Sequence, residues 1–335
     1  MAKKIKDTDY LGLSARVRAM ETNLLTRERM ERLLEARSNE EAGKLLQECG
    51  YPELDPSRPE EMDAALFQVR RDTLEDLADS APDRRFIDVF RLPYDYHNAK
   101  ALLKAAAQGT DPASMLLDLG RVPVEELRAA VRDGDLDSLP GKLGRAWAEA
   151  KEVLETTRDP QLSDIILDNW SFKDLSALAD ETGSAFLKGY VRVRVDAANL
   201  RSLLRTLRMG KGSDFLKLAL FQGGEVDPED VLRISAASGA GLDAVYGPTA
   251  LREAAECGAE ALKNGAPLTE FERLCDDAVS DYLSSAQFVP FGEAPLVGYL
   301  AARETEYTNL RIVLLGRGAG LSPEVIRSRL RTVYA

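Results

Sequence analysis

The sequence predicts an all-α protein built from three homologous helical units, and three observations lead there. Leu200, Leu203, Leu204 and Leu207 fall at i, i+3, i+4 and i+7, an apolar stripe on one helix face, with Arg201, Arg205 and Arg208 on a neighbouring stripe. Met30, Leu33, Leu34, Ala42, Leu45 and Leu46 continue the same style near the start. Strand signals are few. The alternating YVRVRV at 190–195 lies among helix formers and has no second strand to pair with, so it reads as helix. The third observation is a repeat.

DYHNAKALL carries Asp95, Asn98, Lys100, Leu102 and Leu103. DAANLRSLL carries Asp196, Asn199, Arg201, Leu203 and Leu204, and the last copy carries Glu306, Asn309, Arg311, Val313 and Leu314. All three fit acid-x-x-Asn-x-base-x-aliphatic-Leu, with Asn98 and Asn199 101 residues apart and Asn199 and Asn309 110 apart. Apolar or aromatic residues approach each copy: Phe86 and Phe90, Phe186 and Tyr190, Leu296 and Tyr299. A helix start follows each, at Pro123 with Glu125, Pro228 with Glu229, and Pro323 with Glu324. Proline lacks the N–H that would go unpaired in a first turn, and an acid suits the positive end of the helix dipole. Thr26 with Glu28 reads as a comparable start near the N-terminus.

Starts at 26, 123, 228 and 323 divide the chain into 1–117 with an extra N-terminal helix, 118–220, and 221–335 with an extra C-terminal helix where a fourth unit would begin. Glycine- and proline-rich breaks such as LPGKLG (139–144), FQGGEVDPED (221–230) and PFGEAP (290–295) punctuate the helices. Three units of this kind can close around a pseudo-threefold axis with the terminal helices near each other.

Bulk properties exclude several classes. Of 335 residues, 44% are hydrophobic, enough for a core and too many for a disordered chain. A net charge of −12 argues against a nucleic-acid partner. Three cysteines with no C-x-x-C pair argue against a disulfide framework and a structural zinc site. The opening MAKKIKDTDY has no apolar core for a signal peptide, and runs such as IVLL (312–315) fall far short of the roughly 20 residues a membrane span needs. The expectation is a soluble protein.

No catalytic, cofactor or metal residue is expected. His97 is the single histidine, and neither a base with its acid nor a metal site can be assembled around it. Asp95 and Asp196 do not define a carboxylate pair. GRGAG (316–320) and GKGSD (210–214) lack a phosphate-loop pattern. Asn98, Asn199 and Asn309 sit inside helices, where asparagine is a mediocre helix former. Either each one bonds the backbone of a neighbouring helix at a tight crossing, with the acid and base around it paired locally, or three copies line a cavity that holds a partner. Residues 186–217 carry eight basic against two acidic residues, net +6, and 303–335 carry six against three, net +3. In an acidic chain these segments read either as solvated helix faces or as docking surfaces for an acidic protein or lipid headgroups, with Arg194, Arg201, Arg205, Arg208 and Lys211 as the interface candidates.

The stretch PLVGYLAARETEYTNLRIVLLGRGAGLSPEVIRSRL resembles the C-terminal signature of the C-type subunit of A-type and V-type ATPases, which eukaryotic V-type enzymes carry as their d-type subunit. The matching residues are Gly298, Tyr299, Leu300, Arg303, Glu304, Glu306, Asn309, Leu310, Arg311 and Gly316, with Arg303 where the family pattern has lysine. Asp95, Tyr96, His97, Asn98 and Lys100 resemble a second family segment, and YLGLSARVRAMETNLLTRERMERLLEARSNEEAGKLL resembles the family's start, so the likeness covers essentially the whole chain. It implies a three-domain, funnel-like, non-catalytic rotor subunit on the cytoplasmic face of a membrane. Such a subunit, one per complex, links the central stalk (D- and F-type subunits) to the membrane rotor ring and couples ATP hydrolysis or synthesis to proton or sodium transport. A helical-repeat adaptor unrelated to ATPases is the alternative.

Overall fold

The computed structural model describes residues 6–54 and 58–334. Its α-helices are α1 Leu11–Glu21, α2 Arg27–Glu35, α3 Asn39–Glu48, α4 Pro59–Ser80, α5 Arg85–Gln108, α6 Val124–Asp133, α7 Leu143–Thr157 and α8 Pro160–Thr182. The second half continues with α9 Ala185–Arg208, α10 Ser213–Leu218, α11 Pro228–Ala236, α12 Leu242–Tyr246, α13 Arg252–Asn264, α14 Thr269–Ser284, α15 Glu293–Gly318 and α16 Pro323–Arg327. No strand occurs among the described residues, so the protein is all-α. YVRVRV lies inside α9, as its flanks require.

Local chemistry sets many boundaries. Side chains of Thr26, Ser38, Asp159, Ser184, Asp227 and Ser322 accept first-turn N–H groups of α2, α3, α8, α9, α11 and α16. Pro59, Pro160, Pro228 and Pro323 occupy first-turn positions where the missing N–H costs nothing. Gly134 and Gly183 stop α6 and α8 in the left-handed conformation, at φ 76° and 72°.

The chain divides into two units: residues up to Ile87 together with Glu256 onward, and Asp88–Ala255. In the first, α2, α3 and α4 bury Met30, Leu33, Leu34, Leu46 and Met62 against Leu310, Val313 and Leu314 of α15. In the second, α7 packs along α8, and Leu187, Val191, Leu200, Leu203 and Leu204 of α9 are buried at 2% exposure or less. Leu200, Leu203 and Leu204 of the apolar stripe are therefore core, and Leu207 is half-buried. Phe90 stacks on Tyr190 at 6.0 Å between ring centroids, and Phe172 meets Phe221 at 4.3 Å.

Candidate functional site

The three repeated asparagines do one job. Each is completely buried, and in each the amide group grips both backbone groups of a single residue downstream of its helix. Asn98 on α5 donates to the Leu117 carbonyl and accepts from the Leu117 N–H, both at 2.8 Å. Asn199 on α9 holds Phe221 in the same way at 2.9 and 2.8 Å. Asn309 on α15 holds Arg331 at 3.0 and 2.8 Å. The target is the incoming loop and not a neighbouring helix, as one reading of the sequence had it. An asparagine amide is the smallest side chain that offers a donor and an acceptor side by side, which is what a lone peptide unit needs.

In the first two copies the acid one turn earlier grips the same loop a few residues on. Asp95 accepts from the Val122 N–H at 3.1 Å. Asp196 accepts from Glu225 and Val226 at 2.9 and 3.1 Å. Glycine stands between the two grips because a Cβ on Gly120 or Gly224 would fall within the Asp95 or Asp196 carboxylate. These glycines were the sequence signal for the second grip, and sequence reasoning passed over them.

The acids differ in what neutralises them. Asp95 shares Arg121 with Asp174: the guanidinium reaches Asp95 at 2.7 Å and Asp174 at 2.9 Å. Asp174 also accepts from Tyr96 Oη at 3.2 Å and from the Lys142 N–H at 3.3 Å. Burial pushes the Asp95 carboxyl up, while Arg121 and the loop N–H groups draw it back. Glu306, 4% exposed, bonds Arg303, the Tyr51 hydroxyl and the Leu25 N–H, the last at 2.5 Å. Burial and the nearby Glu306 carboxylate raise the Tyr51 hydroxyl well above its usual range.

Asp196 forms no ion pair among the described residues. Burial pushes it up to about 6, against the pull of the Glu225 and Val226 N–H groups. The folded protein then holds a proton between about pH 4 and 6 that the unfolded chain releases. Folding stability from this group falls as pH rises through that window, by about 3 kcal/mol. Carbon NMR of the carboxyl is expected to show a midpoint near 6 for Asp196. An ordinary aspartate midpoint would contradict it.

The base two residues after each asparagine does not pair with its own acid. Lys100 bonds Asp168 on α8 at 2.5 Å, Lys104 bonds Asp164 at 2.6 Å, and Arg311 bonds Asp63 on α4 at 2.9 Å. The expected local pairs fail because acid and base are five residues apart, about 140° around a helix. Arg201 and Arg205 occupy in α9 the repeat positions of Lys100 and Lys104 in α5. Arg194 is half-buried, 5.4 Å over the Tyr190 ring and bonded to its hydroxyl at 3.1 Å. Arg208 and Lys211 lie exposed at the end of α9 and just beyond it, with Lys211 Nζ 3.8 Å over the Phe215 ring.

His97 is exposed and donates from Nε2 to the Met115 carbonyl at 2.9 Å. With Pro93, Tyr96, Lys100, Phe172 and Arg194 it borders a cleft of about 200 Å³. Asp168, Ser171 and Leu175 complete its lining. Among the described residues no three His, Cys, Asp or Glu side chains converge on a metal-sized site, and no helix is long and apolar enough to cross a membrane.

Residues 13–329 match the model of the ATP synthase (C/AC39) subunit family. The chain belongs to that family. It is thus a subunit of a rotary ATPase and not a catalyst in its own right. It is 24% identical over 327 residues to the C-type subunit of the V-type sodium ATPase of Enterococcus hirae, covering 97% of this chain and 99% of that one. It is 25% identical to the C-type subunit of the A-type ATP synthase of Methanocaldococcus jannaschii, over 96% of this chain and 86% of that one. It is 26% identical to the corresponding A-type ATP synthase subunit of Thermococcus kodakarensis, over 96% and 90%. The protein belongs to a membrane-associated complex, and its own described helices supply no span.

Proposed function

We propose that this protein is the socket between the central stalk and the membrane rotor ring, present once per complex on the cytoplasmic side. It would transmit torque between ATP hydrolysis or synthesis in the soluble head and proton or sodium movement in the membrane. Membership of the C/AC39 family over residues 13–329 carries the reading. The clamps support it physically: a part that passes torque has to resist shear at its loops, and bidentate grips on buried backbone stiffen them. Three repeats with boundaries at 1–117, 118–220 and 221–335, arranged about a pseudo-threefold axis, belong to the same proposal.

Docking partners are stalk subunits of the D and F type and the ring. Arg208 and Lys211 are the charged positions best placed to meet an acidic partner, with Arg194, Arg201 and Arg205 behind them. The test is pull-down of the purified protein with stalk subunits and with ring-containing detergent extracts. Wild type is expected to retain both. Arg208→Glu with Lys211→Glu is expected to weaken one of the two at least tenfold, with an unchanged thermal melt and a steep salt dependence. Wild type that captures neither partner would overturn the socket role. A double variant that binds both normally would remove these two residues from the interface.

A further inference from the structure

We infer that residues 323–334 form a strap that opens as a local unit, because the third clamp closes on two separate pieces of chain. In the first two copies, asparagine and acid hold one short loop: Leu117 and Val122 for Asn98 and Asp95, Phe221 and Val226 for Asn199 and Asp196. The five-residue spacing is the same in both, so each grip presents the loop to the other at high effective concentration. On α15 the division is different. Asn309 holds Arg331, while Glu306 holds Leu25, 281 residues away in sequence. No short connection couples the two grips, and among the described residues the strap meets the Leu25 grip only where Val333 and Tyr334 border the same small cleft as Leu24, Leu25 and Glu306.

This arrangement also changes the meaning of Ser322-Pro323-Glu324. It does not start a fourth unit. The short helix α16 lies between Asn309 and its target Arg331, as α10 lies between Asn199 and Phe221. The counterpart of the starts at Pro123 and Asp227 is Thr26, which follows Leu25 as they follow Val122 and Val226.

The groups that hold the strap are identifiable. At its far end the Tyr334 hydroxyl meets Glu21 of α1 at 3.3 Å, the Tyr334 carbonyl accepts from Gln287 at 3.2 Å, and the Tyr334 ring lies against Gly298 of α15. Asp276 bonds Arg331 and Asp277 accepts from the Thr332 N–H, both at 2.7 Å. Glu31 pairs with Arg327 at 2.7 Å across partly exposed side chains. Its one deeply buried apolar anchor is Ile326, 1% exposed and seated against Gly316, where a Cβ would intrude on it. Leu25, by contrast, is fixed to a buried Glu306 that Arg303 and Tyr51 also hold. Opening therefore releases 323–334, uncovers the apolar seat between α2 and α15, and leaves α2 in place.

Hydrogen exchange of the wild-type protein read by mass spectrometry tests this directly. Peptides covering 323–334 are expected to exchange at least tenfold faster than those covering 117–122 and 221–226. Asn309→Ala, and independently Asp277→Asn, should raise tryptic cleavage at Arg327, Arg329 and Arg331 at least tenfold while the remainder stays intact. If 323–334 exchanges in step with the other two loops, the strap is as fixed as they are and the inference fails. It fails equally if both variants unfold as a whole without selective cleavage at the three arginines.

Discussion

Replacing Arg121 with alanine is expected to destabilise the second unit by ~3–5 kcal/mol, the range for removing one partner of a buried ionic group. Its side chain is 10% exposed and sits between two carboxylates, Asp95 and Asp174, that are 0% and 6% exposed. Burial opposes the charge on Arg121, but the two carboxylates outweigh it and hold the guanidinium more firmly charged than usual. Without it, two buried carboxylates are left with no cation between them, and the Asp95 carboxyl, which burial already pushes up, loses the charge that draws it back. That carboxyl is then raised further in the folded state, so the deficit is largest near neutral pH and shrinks as pH falls toward 4. Arg121→Lys is expected to fall between, since an ammonium lacks the fork that reaches both acids at once. Urea unfolding followed by circular dichroism at pH 7 and pH 5 measures both effects. A loss under ~1 kcal/mol at pH 7, or one that does not depend on pH, would mean that water already reaches the pair.

What the sequence disclosed and what it withheld follow from how far each interaction reaches. The helices were legible because the 3.6-residue period of Leu200, Leu203, Leu204 and Leu207 is a local property. The asparagines were visible because they recur in one register. Their targets were not, because Leu117, Phe221 and Arg331 are gripped by their backbones, and a peptide group leaves no mark on residue identity. The indirect marks were Gly120 and Gly224, spaced identically from those targets. Arg121 and Asp174 were missed because a single buried arginine in a loop has no periodicity to betray it. Pro323 was legible for the same local reason as the other starts: it stands at the head of the five-residue α16. The bond from Glu306 to Leu25 joins positions so distant that only the folded chain reveals it.

Asn199→Ala is expected to cost ~2–4 kcal/mol, more than its loss of volume would suggest. The substitution removes two hydrogen bonds and leaves the Phe221 N–H and C=O buried with no partner, at ~1–3 kcal/mol for each stranded group. Phe221 is also the residue that carries its ring to Phe172, so slack in its backbone loosens an aromatic contact. Asn199→Asp separates the two halves of the grip. A carboxylate still accepts from the Phe221 N–H but repels the carbonyl, and it adds a charge one turn from the buried Asp196. That variant is expected to lose about as much as alanine at pH 7 and to recover part of it near pH 4, where the protonated acid donates again. Urea midpoints at the two pH values report the difference, and an aspartate variant as stable as wild type at pH 7 would mean that the donor half of the grip carries no weight. Asn309→Ala should lower the global midpoint by less than Asn199→Ala, because the strap it frees can open while the rest of its unit stays folded.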